Sequence, residues 1–271
     1  MLTLLLAVVI AVPFLIAAQM LLEPHWLRVR EITFAHPDVP AAFHGVRIAL
    51  VTDIHHGPTF SRQRVRHTVD FTNRLAPDLI VLAGDYVYKG ARFIAPCFEE
   101  LARLQAPLGV YGVLGNHDHW MGARESSEAM MAAGIGWLVN QAVWLERDGA
   151  RIRLGGVDDL WEGVQRPGAT TAEALDGDLV ILLSHHPDYA EELNDPRVDL
   201  MLSGHTHGGQ VTFFGKWAPL VPSRFGQRYR SGVVQVGSLT VVVSHGVGTI
   251  NPPVRFFARP EIVVITLARA G

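Results

Sequence analysis

Residues 46–56 read Val46-Arg47-Ile48-Ala49-Leu50-Val51-Thr52-Asp53-Ile54-His55-His56. A short, almost wholly apolar run suits a strand buried on both faces. Here it stops abruptly at an aspartate and two histidines. In open α/β sheets, ligands gather at the carboxyl ends of strands. Alternate residues of an extended segment point the same way, so Asp53 and His55 are predicted to leave this strand on one side.

Working outward, the same unit recurs. Asp78 to Ala83 ends at Gly84-Asp85, and Leu108 to Leu114 ends at Gly115-Asn116-His117-Asp118-His119. Leu179 to Leu183 ends at Ser184-His185-His186, and Val198 to Leu202 at Ser203-Gly204-His205-Thr206-His207-Gly208-Gly209. Helices are predicted over Ser61–Leu75 and Ala95–Leu104, so the first half alternates strand and helix and implies a mainly parallel sheet. The second half adds short, mostly β-branched runs at Ala142–Glu146, Ile152–Val157, Val233–Val236, Thr240–Val243 and Ile262–Ile265. An α/β sandwich of two sheets with helices outside fits both halves.

Composition narrows the function. Of 271 residues, 49% are hydrophobic and 18% charged, against about 25% charged in an average globular protein, which excludes global disorder. The formal charge of −3 argues against non-specific nucleic-acid binding, which needs basic surface to displace counterions. Cys97 is the only cysteine, so neither an intrachain disulfide nor a Cys-rich zinc finger can form.

Eight of the thirteen histidines fall in the strand-end clusters. A lone strand-end aspartate is commonly a turn or cap residue, and a lone histidine is commonly structural. Five such clusters in series, several beside glycines that permit close backbone approach, point instead to a metal site. Carboxylate, imidazole and amide oxygen donors together suit Mn, Fe, Zn or similar divalent ions.

The first 22 residues, MLTLLLAVVIAVPFLIAAQMLL, carry no charge. At 1.5 Å rise per residue such a helix reaches across about 30 Å of hydrocarbon, and Pro13 is tolerated in a span. A cleaved signal peptide is the rival reading. It normally has basic residues first and a small-x-small site, whereas no Lys or Arg precedes this run and Ile16-Ala17-Ala18 is a poor site. Residues 1–24 are therefore expected to form a membrane anchor, followed by one domain over 25–271. Arg28 and Arg30 follow the run and Trp26 stands at its interface position. The positive-inside tendency puts the domain on the cytoplasmic face of the inner membrane.

The five clusters together resemble the calcineurin-like metallophosphoesterases, whose signature is D-x-H, G-D, G-N-H-D/E, H and G-H-x-H. The resemblance covers about residues 45–268. With the N-terminal run and the ending Pro253-Val254-Arg255-Phe256 through Pro260-Glu261-Ile262, it extends to a bacterial membrane-associated phosphodiesterase branch. That branch includes enzymes cleaving the pyrophosphate of UDP-2,3-diacylglucosamine in lipid A synthesis. The resemblance implies a four-layer α/β/β/α sandwich of two mixed sheets and two divalent ions, Mn first and Fe or Zn next. By motif, Asp53, His55 and His207 would hold one ion, and Asn116, His185 and His205 the other. Asp85 would bridge them, and His117 would face the substrate as the catalytic acid. His56, His119 and His186 are left as pocket-wall or supporting residues.

One stretch departs from a related pattern. Gly84-Asp85-Tyr86-Val87-Tyr88-Lys89-Gly90 resembles the G-D-Y-V-D-R-G segment of Ser/Thr protein phosphatases, with Tyr88 and Lys89 replacing Asp and Arg. Lysine cannot reproduce bidentate phosphate binding, so protein phosphatase activity is not expected. Asp118 is the candidate to orient His117 instead.

On the substrate side, Lys216, Arg224, Arg228 and Arg230 follow the last motif and are candidates for a second phosphate or anionic headgroups. The segment Trp120 to Ala132 reads either as a lipid-facing cap or as an ordinary amphipathic helix. The expected partner is a phosphorylated small-molecule or lipid substrate at the membrane, with no nucleic acid and no protein partner inferred. UDP-2,3-diacylglucosamine hydrolysis leads. A broad-specificity or cyclic-nucleotide phosphodiesterase and a non-catalytic metal-binding scaffold are the alternatives.

Overall fold

The strand read from residues 46–52 forms over Arg47–Val51, and its side chains divide between two cores. Ile48 and Leu50 face a second sheet, while Ala49 and Val51 face helices. Burial on both faces is why the run shows no polar alternation. The computed structural model describes residues 2–270, with side chains from residue 11 onward.

In chain order the elements are α1 (Leu2–Leu22), β1 (Arg28–His36), β2 (Arg47–Val51), α2 (Arg62–Arg74), β3 (Leu79–Leu82), α3 (Ile94–Leu101), β4 (Val110–Gly112), α4 (Asn116–Ala132), β5 (Gly136–Trp137), β6 (Gln141–Arg147), β7 (Ala150–Gly156), α5 (Gly168–Thr171), β8 (Val180–Leu183), β9 (Leu200–Ser203), β10 (Gly232–Val236), β11 (Leu239–Val243) and β12 (Glu261–Arg269). One six-stranded sheet runs β1-β12-β2-β3-β4-β5 and the other β10-β11-β9-β8-β7-β6. Both are mixed: β2 to β5 run parallel beside an antiparallel β12, and β11, β9, β8 and β7 run parallel between antiparallel edges.

The sheets pack through Ile48, Leu50, Val81, Leu154, Ile181 and Leu202, among others, all fully buried. Helices α2, α3 and α4 cover the outer face of the first sheet. Ser61 caps α2, its hydroxyl accepting the Arg64 N–H, as its position before the apolar period predicts. The expected fourth layer is thin. Over the second sheet lie only the four-residue α5 and 3-10 turns such as Pro187–Glu191, because that half of the chain spends its length on strands and loops.

One element differs from the sequence reading, and one open alternative is decided. β1 carries Arg28, Arg30 and Glu31, which hide it from a search for apolar runs; it forms because it is an edge strand, paired only with β12. Residues 120–132 take the helical alternative, with Trp120 and Met131 left exposed. They continue α4, with Met130 fully buried and Met121, Ala123 and Ala129 packed onto the helix-side core.

The N-terminal apolar run forms α1, although the side chains of its first ten residues lie outside those described. Among the described residues no helix is long and apolar enough to cross a membrane. Where α1 ends, the buried Glu23 carboxylate accepts the N–H groups of Phe257 (2.9 Å) and Ala258 (2.6 Å), and Arg255 N–H donates to the Met20 carbonyl at 3.0 Å. These bonds tie the end of the helix to the loop before β12.

Candidate metal centre

Each predicted cluster sits where its strand ends. Asp53 and His55 follow β2, and Asp85 follows β3. Asn116 and His117 open α4 after β4, His185 follows β8, and His205 and His207 follow β9. Asp53, His55, Asp85, His205 and His207 all have left-handed backbones, with φ of 51–68°. Non-glycine residues rarely adopt this conformation, and it costs of order 1–3 kcal/mol each where context forces it. Five of the twelve such residues described lie in this one cluster. The loops need close approach: a Cβ on Gly84 would stand 2.5 Å from the Gly115 amide nitrogen, and one on Gly204 would strike Asp53 and Thr52.

The side chains converge. His55 Nε2 lies 3.0 Å from His207 Nε2, His207 Nε2 3.4 Å from Asp53 Oδ1, and His55 Nε2 3.5 Å from Asp85 Oδ2. The same Asp85 Oδ2 lies 3.2 Å from His185 Nε2, which is 3.3 Å from His205 Nδ1. Two donor sets thus meet at one carboxylate oxygen. Donors bound at about 2.0–2.2 Å to one ion stand about 3.0–3.5 Å apart, so these spacings match the edges of two coordination shells. Asn116 Oδ1 is buried without a protein hydrogen-bond partner, as an amide oxygen reserved for a cation would be.

Protonation states agree for three of the four imidazoles. Burial drives His55 down to about 3 and holds His205 and His207 well below the usual imidazole value, so all three keep free lone pairs, the form that metals require. Burial also lowers His185, but Asp85 outweighs it and lifts His185 to about 10. Burial raises Asp85, yet His185 and His55 together keep it well below the usual carboxylate range. Asp53 is raised by burial to about 6. His185 Nδ1 faces the Ala83 carbonyl at 2.7 Å. The Ala83 carbonyl holds the Nδ1 proton, a common supporting contact for metal-binding histidines, and a cation at Nε2 would have to displace the second proton that Asp85 stabilises there.

His117 stands at the mouth, its ring 4.8 Å from His55, 5.2 Å from Tyr88 and 4.6 Å from Trp120. Burial lowers its pKa. Asp118 does not orient it. That carboxylate turns inward and accepts the N–H groups of Asp85 (2.8 Å), Tyr86 (2.9 Å) and Gly115 (3.0 Å). Tyr88 fills the position taken by the phosphatase aspartate and packs against the His117 ring.

Of the three supporting histidines, His56 and His119 have hydrogen-bond partners, while His186 Nε2 approaches Asp159 without forming such a bond and stands in a candidate donor group with His185 and His205. His56 Nδ1 faces the Phe60 carbonyl at 2.8 Å, His119 lies 2.9 Å from Asp158, and His186 lies 3.0 Å from Asp159. The predicted substrate arginines each have protein partners, which for Arg224 and Arg228 are surface ion pairs. Arg224 pairs with Glu192 and Arg228 with Glu191, while Arg230 donates to the carbonyls of Gly208 and Gly215.

Some residues escaped the sequence reading. Asp159 follows the apolar run of β7 and obeys the strand-end rule that found the others. Trp161 packs on His186 (4.4 Å) and His205 (4.6 Å), opposite Trp120. Arg255 is fully buried and donates to the carbonyls of His207, His245, Gly246, Gly248 and Ala258; nothing in the sequence separates it from a surface arginine.

The calcineurin-like phosphoesterase family model matches residues 46–209. The uncharacterized metallophosphoesterase YkuE of Bacillus subtilis (strain 168) is 34% identical over 256 residues, 91% of this chain and 87% of that protein. Phosphodiesterase YaeI of Escherichia coli (strain K12) is 30% identical over 254 residues, 90% of each chain. A transmembrane protein with metallophosphoesterase domain from Danio rerio is 32% identical over 257 residues, 90% of this chain and 58% of that protein.

Proposed function

The chain belongs to the calcineurin-like phosphoesterase family, and on that footing we propose a dinuclear phosphohydrolase that cleaves a phosphodiester or pyrophosphate at the inner membrane. Asp53, His55 and His207 would hold one divalent ion, and Asn116, His185 and His205 the other, with Asp85 shared between the two sets. A pair of ions bound there, Mn first and Fe or Zn next, would supply charge to polarise phosphoryl oxygens and activate water. Asp85 meeting both imidazole sets through one oxygen is the observation that carries this reading.

The chain's own residues do the rest. His117 at the mouth, its pKa lowered by burial, takes a proton from solvent water and delivers it to the leaving oxygen, a step worth about 10²–10⁴ in rate. Tyr88, His55 and Trp120 box its ring and fix its direction. Asp118 locks the loop bearing Asp85 to the first turn of α4.

UDP-2,3-diacylglucosamine is the leading substrate, with residues 1–24 as the anchor and 25–271 as a catalytic domain on the cytoplasmic face. The exposed apolar side chains of α1, Phe14, Leu15, Leu21 and Leu22 among them, support the anchor. A cyclic-nucleotide or broad-specificity phosphodiesterase is the second reading. It is favoured by Trp120 and Trp161, half-exposed beside the centre and able to stack on a base. Mn²⁺-dependent release of p-nitrophenol from bis-p-nitrophenyl phosphate, abolished by chelator, is expected; none would leave a non-catalytic scaffold. Turnover of the UDP-linked lipid beside a cyclic nucleotide then separates the two substrates.

A further inference from the structure

A cavity of 210 Å³ opens beside His207, between residues 206–222 and 250–252. Thr206, His207, Gln210 and Asn251 belong to its lining, but its exposed wall is almost wholly apolar, with Val211, Pro219, Leu220, Pro222 and Ile250 prominent. The fold has no use for it: these residues stand outside the three packed cores. His207, a member of the donor cluster, is among its lining residues, so an occupant of the cavity lies beside that cluster.

The surface around the cavity is apolar as well. Leu220 is 75% exposed and Phe214 78% exposed, and Phe213, Trp217 and Phe257 are also exposed. Phe214 packs on Phe257 at 5.6 Å, and Phe257 N–H is held by Glu23 at the end of α1. An apolar apron therefore runs from the lip of the cavity to the root of the apolar helix. Exposed aromatics concentrated in one place mark a binding surface.

We propose that this cavity is a hydrocarbon subsite, which takes an alkyl or acyl chain joined to the phosphate held at Asp53, Asp85 and the imidazoles. The substrate class is thus a phosphoester of an aliphatic lipid. The inference rests on the hydrolase reading, since it needs the phosphate at the centre. The loop Ile250–Pro252 links the subsite to the proton donor, because Asn251 N–H donates to Tyr88 Oη at 3.4 Å and Tyr88 packs on His117.

The test is calorimetric binding of methyl, butyl, hexyl and octyl phosphate to the Mn²⁺-loaded full chain. Each methylene that enters an apolar cavity tightens binding about fourfold, so Kd is expected to fall stepwise from methyl until the cavity is full. Leu220→Asn and Ile250→Asn are each expected to flatten that slope, and Phe214→Ser, on the apron but outside the cavity, to keep it. Octyl phosphate binding within twofold of methyl phosphate overturns the proposal. So does octanol binding as tightly as octyl phosphate, because the chain would then be held without the centre. Turnover of methyl p-nitrophenyl phosphate, measured in parallel, keeps the two readings apart. Turnover with a flat slope sinks only the subsite, and a steep slope without turnover sinks only the hydrolase.

Discussion

The carboxylate of Asp118 accepts the backbone N–H of Asp85 at 2.8 Å. Two acidic residues meet, and the contact is made through a peptide group rather than between charges. Burial and the Asp85 charge raise Asp118 to about 7, while the N–H groups of Asp85, Tyr86 and Gly115 pull the other way by favouring the ionised form. The bond fixes the left-handed turn that aims Asp85 at both imidazole sets.

Asp118→Asn replaces one acceptor oxygen with an N–H₂ group that faces backbone donors. The variant is expected to bind Mn²⁺ about 10–100-fold more weakly, the usual cost of losing a group that orients a ligand. Isothermal titration would show it. Unchanged affinity would mean that the turn holds without the carboxylate.

His117→Ala removes the proton donor and none of the seven donor residues. Metal content by mass spectrometry is expected to stay at two ions per chain, with kcat down about 10²–10⁴-fold. Substrates with a good leaving group, such as p-nitrophenol, should suffer least. Wild-type turnover of a poor leaving group in this variant would remove His117 from the mechanism.

Arg255→Met deletes the guanidinium that satisfies five backbone carbonyls, including that of His207. Each carbonyl left unmet and buried costs about 1–3 kcal/mol. Thermal melting is expected to fall sharply and Mn²⁺ to restore less of it than in the wild type. A Tm within a degree of wild type would contradict the hub role.

Glu100 supplies a pH signature away from the centre. Hydrogen bonds from Arg66, then from Arg62 and Arg103, hold its carboxyl down to about 2, against 4.5 when unperturbed. A depressed folded-state pKa adds stability above the unfolded value and loses it as pH falls toward the folded one. The urea stability gap between wild type and Glu100→Gln should therefore be full at pH 7, shrink below pH 4.5 and close near pH 2. The arginines are half-exposed, so salt should narrow the gap. A gap independent of pH would show that the carboxylate charge contributes nothing.

Much of the fold was legible because strands buried on both faces leave unbroken apolar runs. β2, β3, β4, β8 and β9 were found that way, and their polar endings marked the donors. β1 was illegible for the converse reason: an edge strand, only partly covered, can carry Arg28 and Arg30 on one face and Glu31 on the other. Asp159 was legible by the same strand-end rule and was passed over.

The sequence by itself determined which residue types stand at each strand end, and therefore which donors were on offer. Only the tertiary structure decided how they are used. It turned Asp118 away from His117 and paired Arg224 and Arg228 with Glu192 and Glu191. It also buried Arg255 under His207 and opened an apolar cavity beside the centre. The physical reason is range. Strand burial and turn chemistry act within a few residues, whereas the partner of a carboxylate or guanidinium is set by loops that are distant in sequence and adjacent only after both sheets have packed.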